Sequence, residues 1–127
     1  MNRFPLLAVA LATAAPAATP SAAAAPIATA TITLTSYRYT PAPIYLPGGV
    51  PVRLIIINRA GKRHDFTAPA FFATSRILRG RVRGGIIDLG AGRSMAIDLI
   101  PARGTYRVHC GKFGHKMLGM SSMIIVG

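Results

Sequence analysis

Gly104-Thr-Tyr106-Arg-Val108-His-Cys110-Gly-Lys-Phe-Gly-His115-Lys-Met117-Leu-Gly-Met120 decides how the rest of this 127-residue chain is read. Up to Cys110 the pattern is that of a strand: Tyr106, Val108 and Cys110 share one face, and Arg107 and His109 point the other way. Beyond it, alternation gives way to a glycine-punctuated loop carrying a thiol, an imidazole and a thioether at spacing Cys-x4-His-x4-Met. Ser121 to Val126 then resumes as a closing strand. Soft sulfur donors beside an imidazole form a metal-ligand set, and their softness suits copper. A second imidazole stands upstream at His64, in Asn58-Arg-Ala-Gly-Lys-Arg-His64-Asp65-Phe66, after an apolar run.

Outward from this stretch, the chain reads as short strands separated by turns. Thr31 to Thr35 alternates polar and apolar residues, the mark of a half-buried strand. Tyr37 and Tyr39 extend it until Pro41 and Pro43 end regular pairing. Ile44-Tyr-Leu46 is a short strand closed by Pro47-Gly48-Gly49. Val52 to Ile57 is continuous and β-branched at Leu54-Ile-Ile-Ile57, which predicts a strand buried on both faces. It delivers the chain to a loop carrying His64. Ile86 to Leu89 and Ser94 to Leu99 are further strands, the latter with Met95, Ile97 and Leu99 on one face. Ala68-Pro69-Ala70-Phe71-Phe72 reads as simple packing, and no segment shows a convincing helical period. Turns at this spacing imply an all-β sandwich.

The first 25 residues read as a signal peptide, leaving one domain over residues 26–127. Asn2-Arg3 precedes the short apolar run Phe4 to Ala15, and Ala22-Ala23-Ala24 offers a cleavage site. The run is well below the ~20 residues needed to span a bilayer. In an exported chain, a single cysteine cannot close an internal disulfide. A metal that holds Cys110 as thiolate protects it from oxidation.

These residues resemble those of the cupredoxins, small periplasmic blue-copper proteins. The likeness rests on His64 after an apolar strand, Gly104-Thr-Tyr106-Arg-Val-His-Cys110, the ligand loop, and Ile124-Ile-Val126. It implies a Greek-key β-sandwich binding one copper through His64, Cys110, His115 and Met120, cycling between Cu(I) and Cu(II). It also implies a monomeric electron carrier of the periplasm rather than an enzyme. His115 becomes the expected electron port, with Phe113, Met117 and Leu118 as an apolar rim. Asp65 stands where many relatives have Asn or Ser, and it either orients the loop or adds charge favouring Cu(II). Copper delivery or sequestration is the alternative, with Met117, Met120 and Met123 as sulfur donors. A metal-free structural or ligand-binding sandwich is a third reading.

Composition narrows the partners. The chain holds 15 basic and 3 acidic side chains for a net charge of +12, or about +11 once Arg3 leaves with the signal. Such charge steers toward an acidic redox partner, such as a cytochrome, or toward an anionic membrane surface. Arg76-Ile-Leu-Arg79-Gly-Arg81-Val-Arg83-Gly-Gly85 has the composition of an RNA-binding tract, but no aromatic residue is interleaved for base stacking. A solvated loop followed by an edge strand is expected there, and no nucleic-acid partner. Three histidines are too few for the trinuclear cluster that a His-Cys-His pattern serves in multicopper oxidases. Three Asp and no Glu leave no catalytic carboxylate pair.

Overall fold

Alternating apolar positions become two five-stranded sheets that share one hydrophobic core. The computed structural model describes residues 8–20, 27–112 and 119–127. The first sheet runs β2 (Arg38–Thr40), β1 (Ala28–Thr35), β4 (Val52–Asn58), β8 (Ser94–Ile100) and β6 (Arg76–Arg79). The second runs β3 (Ile44–Leu46), β10 (Ser121–Val126), β9 (Gly104–His109), β5 (His64–Thr67) and β7 (Ile86–Leu89). β1 lies parallel to β4 and β3 parallel to β10, while the other named pairings are antiparallel. A tight hairpin cannot join parallel neighbours, so the chain crosses repeatedly between sheets. The result is the expected β-sandwich.

The core draws on both sheets. Ile32, Leu34, Leu54, Ile56, Ile97 and Leu99 come from the first, and Ile44, Phe66, Ile87, Val108 and Ile124 from the second; all are buried. Each such side chain contributes about 1.5–3 kcal/mol through burial. Tyr39 on β2 stacks edge-on against Phe66, and Phe66 against Phe72, at ring separations of 5.8 and 6.0 Å.

Four local expectations change. Val52 to Ile57 is not buried on both faces: Leu54 and Ile56 are buried, whereas Arg53, Ile55 and Ile57 are only partly covered. β-Branched residues suit a strand whether or not its outer face is roofed. Tyr37 and Tyr39 do not extend β1. The chain reverses at Ser36–Tyr37, Thr35 pairs with Arg38, and Tyr37 has φ 65. Turn chemistry normally supplies Gly or Asn at such a φ, so the reversal carries no signal.

A helix, α1 (Pro69–Thr74), occupies the middle segment. It opens on proline, whose fixed φ suits a first helical turn, and it buries Phe71 and Phe72 as packing residues. Arg76–Arg79 is itself an exposed edge strand, followed by the expected loop and by β7.

Candidate metal centre

Strand pairing, not sequence proximity, creates the site. β5 and β9 are antiparallel with Thr67 opposite His109, so Cys110, just past β9, runs beside the start of β5. His64 opens β5 instead of sitting in a loop, and both side chains are buried at 1% exposure. His64 Nδ1 lies 3.9 Å from Cys110 Sγ. Tyr37 meets the His64 ring edge-on at 6.3 Å, a contact that the strained turn at Ser36–Tyr37 provides. Met120 is buried, and its carbonyl accepts a 3.0 Å bond from the Cys110 amide, closing the loop between β9 and β10. His115 lies outside the described residues, as do Phe113, Met117 and Leu118. Among the described residues, no three His, Cys, Asp or Glu side chains cluster as metal ligands.

Of the two roles expected of Asp65, the structure shows the contacts of the first, orientation of the loop. Its backbone N–H donates to Cys110 Sγ at 3.4 Å, and its carbonyl accepts from the Tyr39 hydroxyl at 2.8 Å. Its carboxylate Oδ1 accepts from the Gly111 N–H at 2.8 Å and from the Thr67 hydroxyl at 2.7 Å. One buried residue thus ties the strand of one candidate ligand to the chain just beyond the other. Gly111 permits this approach, because a Cβ there would stand 3.3 Å from Asp65 Oδ2. Asp65 and Asp88 are direct cross-strand partners, an arrangement that like charges disfavour. Lys112 answers it, with Nζ 3.9 Å from Asp65 Oδ2 and 3.1 Å from Asp88 Oδ2. Asp65 and Thr67 share a strand face by simple alternation; that was the one signal of the pairing in the sequence.

The donors present fit a soft metal ion. Metal–thiolate and metal–imidazole bonds are about 2.3 and about 2.0 Å long, so a single ion reaches both atoms across the 3.9 Å gap. Burial pushes the Cys110 thiol up, opposed by backbone N–H groups of Asp65 and Lys112. A metal that binds there displaces the thiol proton. Burial also raises the Tyr39 phenol, with the charges of Cys110 and Asp65 adding to the effect. The Tyr39 hydroxyl therefore remains a donor to the Asp65 carbonyl.

A buried thiol and imidazole thus lie together in a two-sheet sandwich. The Cupredoxin-like domain family matches residues 4–126, and the chain belongs to that family. Sodium-dithionite-reduced auracyanin from the photosynthetic bacterium Roseiflexus castenholzii has a similar structure, with TM-score 0.58 and 22% identity, covering 78% of this chain and 96% of that one. Auracyanin B gives TM-score 0.59 and 21% identity over 81% of this chain and 91% of its own. A multicopper oxidase from Campylobacter jejuni, a metallo-oxidase, reaches TM-score 0.59 at 14% identity, covering 82% of this chain but 31% of that larger protein. At these identities the likeness establishes the fold. No curated protein sequence matches this chain significantly.

Proposed function

We propose that this protein is a type 1 copper electron carrier in which His64, Cys110, His115 and Met120 hold one copper ion. The observation that carries the reading is the buried pair of His64 Nδ1 and Cys110 Sγ at 3.9 Å, with the Asp65 N–H aimed at the sulfur. Copper bound there would supply a one-electron Cu(I)/Cu(II) couple. The chain's own contribution is rigidity and dryness. Asp65 fixes Gly111 against β5, Met120 closes the loop through its carbonyl, and burial keeps water from the sulfur. An N–H directed at a thiolate withdraws electron density from it and raises the potential of a thiolate-bound metal.

The proposal extends to the setting. Residues 1–25 act as a signal peptide, the mature domain is a monomer in the periplasm, and it exchanges electrons with an acidic protein without catalysing a reaction itself. A relative studied in dithionite-reduced form supports a redox role. Copper delivery is the weaker reading. Met120 is fully buried while Met123 is partly exposed, so these two sulfurs do not share an accessible face from which to pass an ion.

Copper-loaded protein is expected to show an intense thiolate-to-copper visible band, and Cys110→Ser to abolish it while the apo fold persists. A colourless copper protein, or a Ser variant that stays blue, would end the reading.

A further inference from the structure

We propose that the loop 59–63 and the turn 90–93 form a preset docking surface for an acidic protein. This rests on the carrier reading, since that protein is the partner exchanging the electron. The surface is organised by Asn58, the fully buried last residue of β4. Its two Nδ2 hydrogens are shared among the carbonyls of Lys62, Leu89 and Gly90, at 2.8, 3.0 and 3.1 Å. Its Oδ1 accepts from the Ala60 N–H at 3.0 Å. Its backbone N–H donates to the Arg93 carbonyl at 2.8 Å, and its carbonyl accepts from the Gly92 N–H at 2.9 Å. One residue thus fixes two neighbouring loops to each other.

Both loops carry cations. Arg59, Lys62, Arg63 and Arg93 are all exposed. A Cβ at Gly90 would stand 3.6 Å from an Arg63 guanidinium nitrogen and 3.7 Å from the Arg93 stem, so these two arginines converge over that glycine. Asp88 is the acidic residue nearby, and it is occupied by Arg63 at 3.2 Å and Lys112 at 3.1 Å. Gly61 and Gly92 have open space where a side chain would stand, so nothing bulky there holds a partner away. The loop 59–63 leads directly into His64, a candidate ligand, with Arg63 its immediate chain neighbour.

The chemistry selects an acidic protein over a lipid surface. Guanidinium forks match carboxylates in fixed, bidentate geometry. Loops already tied down lose little further freedom when a folded partner docks. Anionic lipid also attracts cations, but firm membrane adsorption adds large apolar side chains buried at the interface, and Ala60, Gly61, Ala91 and Gly92 offer none. Arg76 and Arg81 provide the internal control. They lie at an edge where Ile77 and Leu78 are exposed, and no buried hub equivalent to Asn58 ties that edge down among the described residues.

The test compares two charge-reversal pairs of equal net charge, Arg59→Glu with Lys62→Glu and Arg76→Glu with Arg81→Glu. Affinity for poly-L-glutamate is measured by calorimetry at low and at physiological salt, on copper-free and copper-loaded full-length protein. The first pair is expected to weaken binding by about tenfold or more and the second by about twofold, with salt reducing the difference. Equal losses, or a larger loss in the second pair, would overturn the proposal in favour of diffuse charge. Phosphatidylglycerol vesicles are the counter-probe, and stronger dependence on Arg59 and Lys62 there than with poly-L-glutamate would also overturn it. If copper fails to load while poly-L-glutamate binding still requires Arg59 and Lys62, the carrier reading falls and the acidic docking surface stands.

Discussion

Asp65 and Asp98 are the two carboxylates that the fold takes out of water, and they are used in opposite ways. Asp98 on β8 faces Arg53 on β4, which donates through Nε and Nη2 at 2.7 and 2.9 Å. The guanidinium holds the Asp98 carboxyl below the usual range and cancels its charge on the spot. Asp65 is held mainly by neutral donors, Gly111 N–H and Thr67 hydroxyl, and Lys112, the cation paired with it among the described residues, sits closer to Asp88. One carboxylate is a strut between neighbouring strands. The other is a clamp between β5 and the chain just past β9, beside a candidate metal ligand. Burial alone does not distinguish the roles; the partners do.

The largest effect is expected from Asp65→Ala. It leaves the Gly111 N–H and the Thr67 hydroxyl without their acceptor, at about 2–4 kcal/mol of apo stability by denaturant titration. Copper affinity should fall by about 10- to 100-fold, as when outer partners of metal ligands are removed. Competition with a chelator measures it, and unchanged affinity would break the distinction between the two carboxylates.

Asp65→Asn sharpens the distinction, because it keeps an acceptor oxygen and removes the charge. Stability should stay near that of the parent while the reduction potential rises by on the order of 60 mV, about 1.4 kcal/mol for one electron. Voltammetry reads it, and a potential that does not move would mean Asp65 acts only as a clamp.

Asp98→Asn should have the smallest effect at the metal, with no shift of potential and a modest loss of thermal stability. Its pH signature is specific. A carboxyl held below its unfolded value stabilises the fold above about pH 4 and loses that contribution as pH falls through the folded value. The variant should therefore match the parent in acid and be less stable near neutrality. Melting curves at several pH values decide it, and a deficit that persists in strong acid would assign the loss to packing.

What was legible in the sequence depended on whether meaning lay in residue type or in distant pairing. Cys110, His64, His115 and Met120 stood out as candidates because few side chains ligate soft metals, and the structure brings the buried His64 and Cys110 within 3.9 Å of each other. The strands were readable from alternation. Asp65 stood out only as a residue that orients the loop or adds charge; its partner Gly111 was not legible, because the pairing of β5 with β9 brings it there. α1 spans six residues, fewer than two turns, so no period could show. The reversal at Tyr37 lacked a turn residue, and the outer face of β4 carried a single polar residue, Arg53, beside Ile55 and Ile57, so the apolar run masked its partial exposure.

β10 follows the other strands in sequence yet lies inside the second sheet, between β3 and β9. The sheet therefore cannot be finished until this last segment inserts, and Met120 has no place against Cys110 before then. His64 and Cys110, 46 positions apart, likewise meet only through non-local pairing, which in β-sandwiches takes milliseconds to seconds. Assembly of the candidate metal centre is thus tied to closure of the second sheet. In a refolding chain supplied with copper, the appearance of the colour expected of the proposed site would serve as a clock for closure of the second sheet around β10.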